Sequence, residues 1–533
     1  MCERSQSSRL DLILLALALL LAGILNWRAF VQDNLGIDEH VSFWIADRSS
    51  PSTLLVRSFH YSATPPLSFF LQRLSLETFG PHEWALRVPA ALSYLASVVV
   101  IWCTGRRWPT PLVGGMAAIL LATQPALLRV AVAGRPYSIG VLLGILAMHC
   151  TSRLRADVSQ RLRWLWWGLV NLALIQTHYL FGALWAAELV WLLWPGSTRR
   201  PRPRELFWLL GILAGCALSV GPGLLRVWDE RQFLNWTTRK VELADLLALT
   251  LPVDWTSFRQ PAAWGVCLMP FIWLTLVHRT WPLRWVDVSR LQSLANPVGR
   301  AATWAAIPMG GLWLLGRFWI ESVAAERYLV IFVPGVVLTL AGLLSTLRGT
   351  VAPLLAMSAL VLLGGTVPQA FSQPGGTASP REREWQVVAR EFFEFRVSSD
   401  DLVLVGSGLT EMTLVPVHAS DAIFHDYVTC RLGRMYIRGE YRRLSLPMFW
   451  RPEVKGFYRR EIARACAAAN RESGQEPAKI WLVAATDTDL LRLSLAQTEA
   501  LVRELGLKEY RRHNLETLCV VVYECSGTTV DRR

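Results

Sequence analysis

Residues 10–32, LDLILLALALLLAGILNWRAFVQ, decide the fold class. From Leu12 to Leu25 every side chain is apolar or glycine. A helix needs about 20 mostly apolar residues to cross a bilayer. No small-x-small cleavage site follows, so the segment reads as a retained membrane anchor rather than a signal peptide.

Ten more apolar segments lie downstream: 86–104, 111–128, 136–152, 163–178, 180–195, 207–226, 262–279, 302–319, 328–346 and 351–369. The run 163–195 divides at Gln176-Thr177-His178-Tyr179, its one polar cluster. The expected fold is therefore a polytopic α-helical membrane protein with about 11 transmembrane helices. Composition agrees: of 533 residues 53% are hydrophobic and only 18% charged, with 25 Trp. Mean hydropathy is +0.32. These values exclude a disordered chain, a solvated nucleic-acid-binding domain and a plain cytosolic enzyme.

The net charge of +13 is a topology signal. Residues 1–370 hold 31 Lys+Arg against 19 Asp+Glu, whereas residues 371–533 hold 23 against 22. Basic excess between apolar spans orients a membrane protein and does not imply a nucleic-acid partner. With the N-terminus cytoplasmic, the inner segments carry 17 Lys+Arg in 69 residues and the outer ones 12 in 112. Arg199-Arg200-Pro201-Arg202-Pro203-Arg204 is the clearest inner marker. The first loop, 33–85, is then extracytoplasmic, and an odd span count places the tail on the same side. The expected locale is the cell inner or plasma membrane.

The division expected is a membrane domain over 1–370 and a soluble extracytoplasmic α/β domain over 371–533. In the tail, Glu384–Phe395 reads as an amphipathic helix, with Trp385, Val388, Phe392 and Phe393 at helical spacing. Leu402–Val405, Ile480–Ala484 and Leu518–Tyr523 read as strands, and Leu495–Leu505 as a helix. Alternation of the two element types gives the α/β expectation. Cys430, Cys466, Cys519 and Cys525 lie there, and their spacing leaves the pairing open.

Chemistry-bearing residues gather in the loops of the outer side. Asp38-Glu39-His40 follows the first span, and His60-Tyr61-Ser62-Ala63-Thr64-Pro65-Pro66-Leu67 follows that. Leu67 to Leu76 is apolar but too short to cross, so it reads as an interfacial helix. Ala85-Leu86-Arg87-Val88-Pro89 opens the next span, Gly134-Arg135-Pro136-Tyr137-Ser138 a later one, and Arg327-Tyr328-Leu329 precedes Pro334.

In this order, these motifs resemble the GT-C superfamily of membrane glycosyltransferases. The similarity is to the protein O-mannosyltransferases, the aminoarabinose transferases of lipid A and the bacterial lipopolysaccharide transferases grouped with them. It covers roughly residues 10–370. It implies a polyprenyl-phosphate sugar donor and an acidic residue of the first external loop as the catalytic group. The acceptor would be a glycan, a lipid or a protein. No organic cofactor is implied. A divalent metal ion is left open, with Asp38, Glu39 and His60 as the ligands if there is one. The family often has a basic residue before the Pro-Pro pair, where this chain has Thr64.

The chemistry asks for the same residue types. An inverting transfer needs a carboxylate to take the acceptor's proton, which points to Asp38, with Glu39 second. A leaving phosphate needs guanidinium donors, which Arg135, Arg327 and Arg87 supply, with His60. Tyr137, His178 and Tyr179 are the candidate substrate-binding groups. Two other functions fit the same segments. One is a transporter or flippase of a lipid-linked anion; the other is a non-catalytic scaffold with the same fold.

Overall fold

The computed structural model describes residues 2–31, 34–47, 50–193, 203–234, 287–318, 326–363, 380–393, 397–398, 400–432, 435, 441–469 and 478–525. The apolar segment 262–279 and the Arg199–Arg202 stretch lie outside the described residues. The chain divides into two compact units. The first comprises Met1–Gln32, Ser50–Gly80 and Trp84–Gly376, and the second Asp33–Ser49, Pro81–Glu83 and Thr377–Arg533. Sequence reading assigned the whole first loop to the membrane part. Packing instead groups 33–49 and 81–83 with the tail.

The first unit is helical. Arg9–Val31, Glu83–Gly105, Tyr137–Ala156 and Arg327–Leu344 are long and apolar enough to cross a membrane. Leu112–Ala122, Tyr179–Leu193 and Val351–Leu362 are shorter apolar helices. The expected spans 163–178, 207–226 and 302–319 also fall on helices: Arg161–Ile175, Pro203–Ser219 with Gly221–Leu234, and Val288–Phe318. Leu14, Tyr94, Met116, Phe181, Trp304 and Val337 belong to one buried apolar cluster.

Two devices hold these helices close. Asp11, fully buried, accepts a hydrogen bond from the Gly115 backbone N–H at 2.8 Å. That N–H lies near the start of Leu112–Ala122, so the bond ties the first helix to this one. Gly335 lets the helix Val333–Leu344 lie against Val288–Phe318. A Cβ there would meet the Ala301 carbonyl at 2.7 Å, the close approach that small residues permit between membrane helices.

The break at Gln176–Tyr179 is local chemistry. The helix Arg161–Ile175 stops, and His178 Nδ1 accepts from the Leu180 N–H at 3.3 Å, starting the 3-10 turn Tyr179–Ala183 and then Leu184–Leu193.

The second unit is built on a five-stranded sheet: β1 Leu402–Gly406, β2 Arg442–Ser445, β3 Lys479–Ala485, β4 Lys508–Asn514 and β5 Leu518–Glu524. The strand order is β2-β1-β3-β5-β4. β2, β1 and β3 run parallel, and β5 is antiparallel to both β3 and β4. β1 is buried throughout and β3 from Ile480 onward, as continuous apolar runs in a parallel sheet must be. β2 and β4 escape sequence reading for a physical reason. Both are edge strands, short or charged, with no apolar alternation to detect. Trp385 and Val388 are buried, as the helical spacing requires; the structure makes that segment Pro380–Val387 followed by a π-helical turn to Phe393.

Cys466, on the helix Pro452–Ala469, is disulfide-bonded to Cys525 just after β5, while Cys430 and Cys519 stay free and buried. The bond closes a loop across a sequence separation of 59 residues. On chain-entropy grounds, a loop of this length is stabilised by about 4 kcal/mol. Cys466→Ser should therefore lower the stability of this unit by about 2–4 kcal/mol. Thermal melts of wild type with and without reductant check it: both forms of disulfide loss should melt alike.

His425 is buried at the sheet edge. Its Nδ1 accepts from the Ser445 N–H at 3.0 Å, so the ring proton is on Nε2, which donates to the Ala419 carbonyl at 2.8 Å. Burial lowers its pKa below the usual 6.5. Arg442 and His418 act in the same direction, against the Ala419 bond and Asp421. Protonation would remove the acceptor that β2 uses. The unfolded chain thus binds this proton first. The stability held by neutral His425 is complete above about pH 6.5 and falls as pH drops below it, by at most about 1.4 kcal/mol per pH unit. Denaturant unfolding at pH 7.5 and 5 should show that fall, and His425→Gln should shrink it.

Candidate active site

The helix Ile37–Ala46 carries the carboxylate pair. Its N-cap is Gly36. Glu39, only 6% exposed, turns back so that its Oε2 accepts from the Gly36 N–H at 3.0 Å. This is the backward half of a capping box. Asp38 sits one position earlier in the first turn and is half-buried. The positive end of the helix dipole favours its ionised form there. The structure thus gives the two neighbours different surroundings: Glu39 is buried and holds the helix start, and Asp38 is the half-buried carboxylate beside it. The helix is fixed within the second unit by Trp44. The Trp44 Nε1 donates to Asp426 Oδ2 at 2.6 Å, and its ring lies 5.2 Å from that of Tyr427.

In the first unit, Tyr137, His178 and Tyr328 form an aromatic cluster. Ring centroids are 4.7 Å apart for His178 and Tyr328, 6.1 Å for Tyr137 and Tyr328, and 6.4 Å for Tyr137 and His178. Phe181 closes the far side of His178 at 5.3 Å, and Tyr179 lies at 6.4 Å. The guanidinium of Arg327 lies over the Tyr328 ring, 5.2 Å from its centroid. Arg135 and Arg327 both act electrostatically on the His178 ring. Five of the residues singled out by sequence (Arg135, Tyr137, His178, Tyr179 and Arg327) therefore meet at one end of the helices. Tyr328 and Phe181 join them without having been singled out. The signal for Tyr328 was its place beside Arg327.

Local structure explains the convergence. Ser138 Oγ donates to the Ala131 carbonyl at 2.6 Å, folding the segment before Tyr137 back on the helix Tyr137–Ala156. Gly140 lies one turn further on, and a Cβ there would overlap the Phe181 ring. Gly140→Ala should therefore cost about 1–3 kcal/mol by overpacking. It should also lower activity, because Phe181 cannot move without His178. Melting temperature and turnover, measured together, check it.

The Thr64–Leu67 motif is a tight turn. Ser58 Oγ donates to the Thr64 carbonyl, and the Thr64 N–H donates to the Ser58 carbonyl at 3.0 Å. Ala63 adopts φ +47°, an uncommon conformation for a residue with a Cβ. Leu67, first residue of the helix Leu67–Phe79, donates its N–H to the Gln176 carbonyl at 3.0 Å. The motif is thereby anchored beside the junction that bears His178. Thr64 is buried and fastened into the turn by its hydroxyl, which donates to the Ser62 carbonyl.

Arg87 and His60 take different places. Arg87 is 3% exposed, so it does not reach out along an interface. Its Nη1 donates to the Ala29 carbonyl at 2.6 Å, at the end of the first helix, where bare carbonyls need a donor. His60 is exposed and packs edge-on to Tyr61 at 4.9 Å. Among the described residues no group of three or more His, Cys, Asp and Glu is placed to hold a metal ion. One of the candidate ligands, Glu39, already has its Oε2 on a backbone N–H. The residues do not fit a metal site, and no step is derived through one.

Sequence reading also passed over a buried carboxyl in the segment 180–195. Glu188 is fully buried, and its Oε2 accepts from Asn171 Nδ2 at 3.0 Å. The signal was available, since Glu188 is the one charge in the segment 180–195.

Residues 63–222 match the family described as dolichyl-phosphate-mannose-protein mannosyltransferase. The match spans the Thr64–Leu67 turn, Arg87, Arg135, Tyr137, His178 and Tyr179, and leaves Asp38, Glu39 and Arg327 outside it. No curated protein matches the chain. Among solved structures, ArnT from Cupriavidus metallidurans bound to undecaprenyl phosphate is similar at 14% identity and a TM-score of 0.46, with 98% of this chain and 99% of that chain covered. The Archaeoglobus fulgidus oligosaccharyltransferase in its apo form is similar at 11% identity and a TM-score of 0.45, covering 98% and 75%. The archaeal oligosaccharyltransferase AglB from Archaeoglobus fulgidus, in complex with an inhibitory peptide and a dolichol-phosphate, is similar at 12% identity and 0.43, covering 98% and 75%. The match over residues 63–222, under a third of the chain, is to a glycosyltransferase family and agrees with the GT-C resemblance of the motifs in this integral membrane protein.

Proposed function

We propose that the protein transfers a sugar from a polyprenyl-phosphate donor to a hydroxyl-bearing acceptor on the extracytoplasmic side, with inversion at the anomeric carbon. The observation that carries this reading is the cluster of Arg135, Tyr137, His178, Arg327 and Tyr328, two guanidiniums set among aromatic rings. Guanidiniums suit a phosphate, and aromatic faces suit a sugar ring and the first carbons of a lipid. In the reaction the acceptor oxygen bonds to the anomeric carbon as the bond from that carbon to the phosphate oxygen breaks. Asp38 takes the acceptor's proton. Arg135 and Arg327 neutralise the charge that grows on the departing polyprenyl phosphate. His60 and Arg87 have supporting places, Arg87 at the end of the first helix.

The sidedness rests on the basic excess of one set of loops and on the Cys466–Cys525 disulfide. Such a bond persists in an oxidising compartment. We assign the N-terminus to the cytoplasm and the tail to the opposite side.

The test is a transfer assay on the purified full-length chain, with polyprenyl-phosphate sugars and an extract of the host envelope as acceptor source. Release of polyprenyl phosphate together with labelled product is the expected result. Passage of the donor across liposomes without release would instead make the protein a transporter. Donor binding with neither outcome would make it a scaffold.

A further inference from the structure

A cavity lies at the other end of the helices that carry the aromatic cluster. It is an open cleft of about 550 Å³, between the turn after the helix Glu83–Gly105, the last turns of Tyr137–Ala156, the end of Leu184–Leu193 and the first half of Val288–Phe318. Tyr137 opens the aromatic cluster and Ser152 lines this cavity, on one helix. At 1.5 Å per residue they are about 22 Å apart along its axis. The two sites are therefore distinct.

The lining holds Arg107, Arg153, Arg300 and His149, and no carboxylate among the described residues. Arg107 Nη1 approaches the His149 imidazole at 2.9 Å, and Arg153 Nε donates to the same ring at 3.1 Å. A neutral imidazole has one acceptor nitrogen, and a guanidinium has none. Two guanidiniums on one ring therefore present more donors than it can accept. Arg300 is held from the side, its guanidinium over the Trp191 ring at 5.6 Å and its Nε on the Asn296 carbonyl at 3.3 Å. Its terminal nitrogens have no acceptor among the described residues. Arg107 and Arg153 are exposed at the mouth of this space and Arg300 is half-buried; all three border the one cavity, stacked or hydrogen-bonded in place.

We propose that this cavity binds a phosphate-bearing anion through Arg107, Arg153 and Arg300. Planar guanidiniums match phosphate oxygens in pairs, and the volume admits a phosphodiester with a small head group. Its position at the ends of membrane helices favours an anionic phospholipid drawn from the leaflet. The inference rests on the chain's being a membrane protein and not on the transfer chemistry.

Trp108 and Trp191 line the cavity and serve as reporters. Full-length protein in detergent is titrated with inorganic phosphate, with phosphatidylglycerol in mixed micelles, and with phosphatidylcholine alone, reading tryptophan fluorescence and melting temperature. Saturable change with phosphatidylglycerol and none with phosphatidylcholine is expected. Arg300→Gln and Arg107→Gln should each weaken it at least tenfold, whereas Arg300→Lys should weaken it less. Arg135→Ala should leave it unchanged, which separates this site from the proposed active site. Saturation by inorganic phosphate at the same Arg dependence would support a soluble phosphate ligand instead of a lipid. A response equal for the two lipids, or one indifferent to both Arg→Gln substitutions in folded protein, overturns the proposal.

Discussion

Asp38→Asn should lower sugar transfer by about 100- to 10,000-fold, the range of a lost general base, with donor binding retained. Asparagine keeps the shape of the side chain in the first turn of Ile37–Ala46 and loses only its ability to accept a proton. The control is its neighbour. Glu39→Gln leaves an amide oxygen to accept from the Gly36 N–H, so the helix start survives and activity should change only a few-fold. Glu39→Ala removes that bond and should cost about 1 kcal/mol of stability, as lost caps do, with less activity only in proportion. Single-turnover release of polyprenyl phosphate separates chemistry from binding in all three. Loss of turnover in Glu39→Gln, with Asp38→Asn active, would exchange the roles.

Arg135→Ala and Arg327→Ala should each lower transfer by about 100- to 1,000-fold, the effect of removing one donor from a developing oxyanion. Arg→Lys at either position keeps the charge and loses the fork, so it should recover part of the rate but not all. The Arg327 effect should be shared by Tyr328→Leu, because the guanidinium rests over that ring. A general loss of fold would depress both substitutions equally in melting temperature. The proposed role instead predicts near-normal melting with a fall in kcat. Polyprenyl phosphate, as the product, should inhibit wild type more strongly than either alanine variant.

Much of the fold was legible because its signals are local. Apolar runs mark the helices, and Gln176–Tyr179 interrupts the longest one where a polar side chain can start a new turn. β1, β3 and β5 are apolar enough to read directly. What escaped was tertiary. The edge strands β2 and β4 gain their identity from the neighbours they pair with, not from their own pattern. The capping role of Glu39 depends on where the helix begins, and one residue of offset exchanges the duties of two adjacent carboxylates. The use of Arg87 at the Ala29 carbonyl depends on two segments 58 positions apart. The aromatic cluster was half visible: its members were each noticeable, but their meeting requires three separate helix starts.

The bond between Trp44 and Asp426 joins residues 382 positions apart in one unit. A ribosome adds about 5–20 residues per second. The helix bearing Asp38 therefore leaves the ribosome roughly 20–80 s before its docking partner exists. Through that interval the segment must stand without its final support. The helix that carries Asp38 thus gains this support only after about four fifths of the chain has been made.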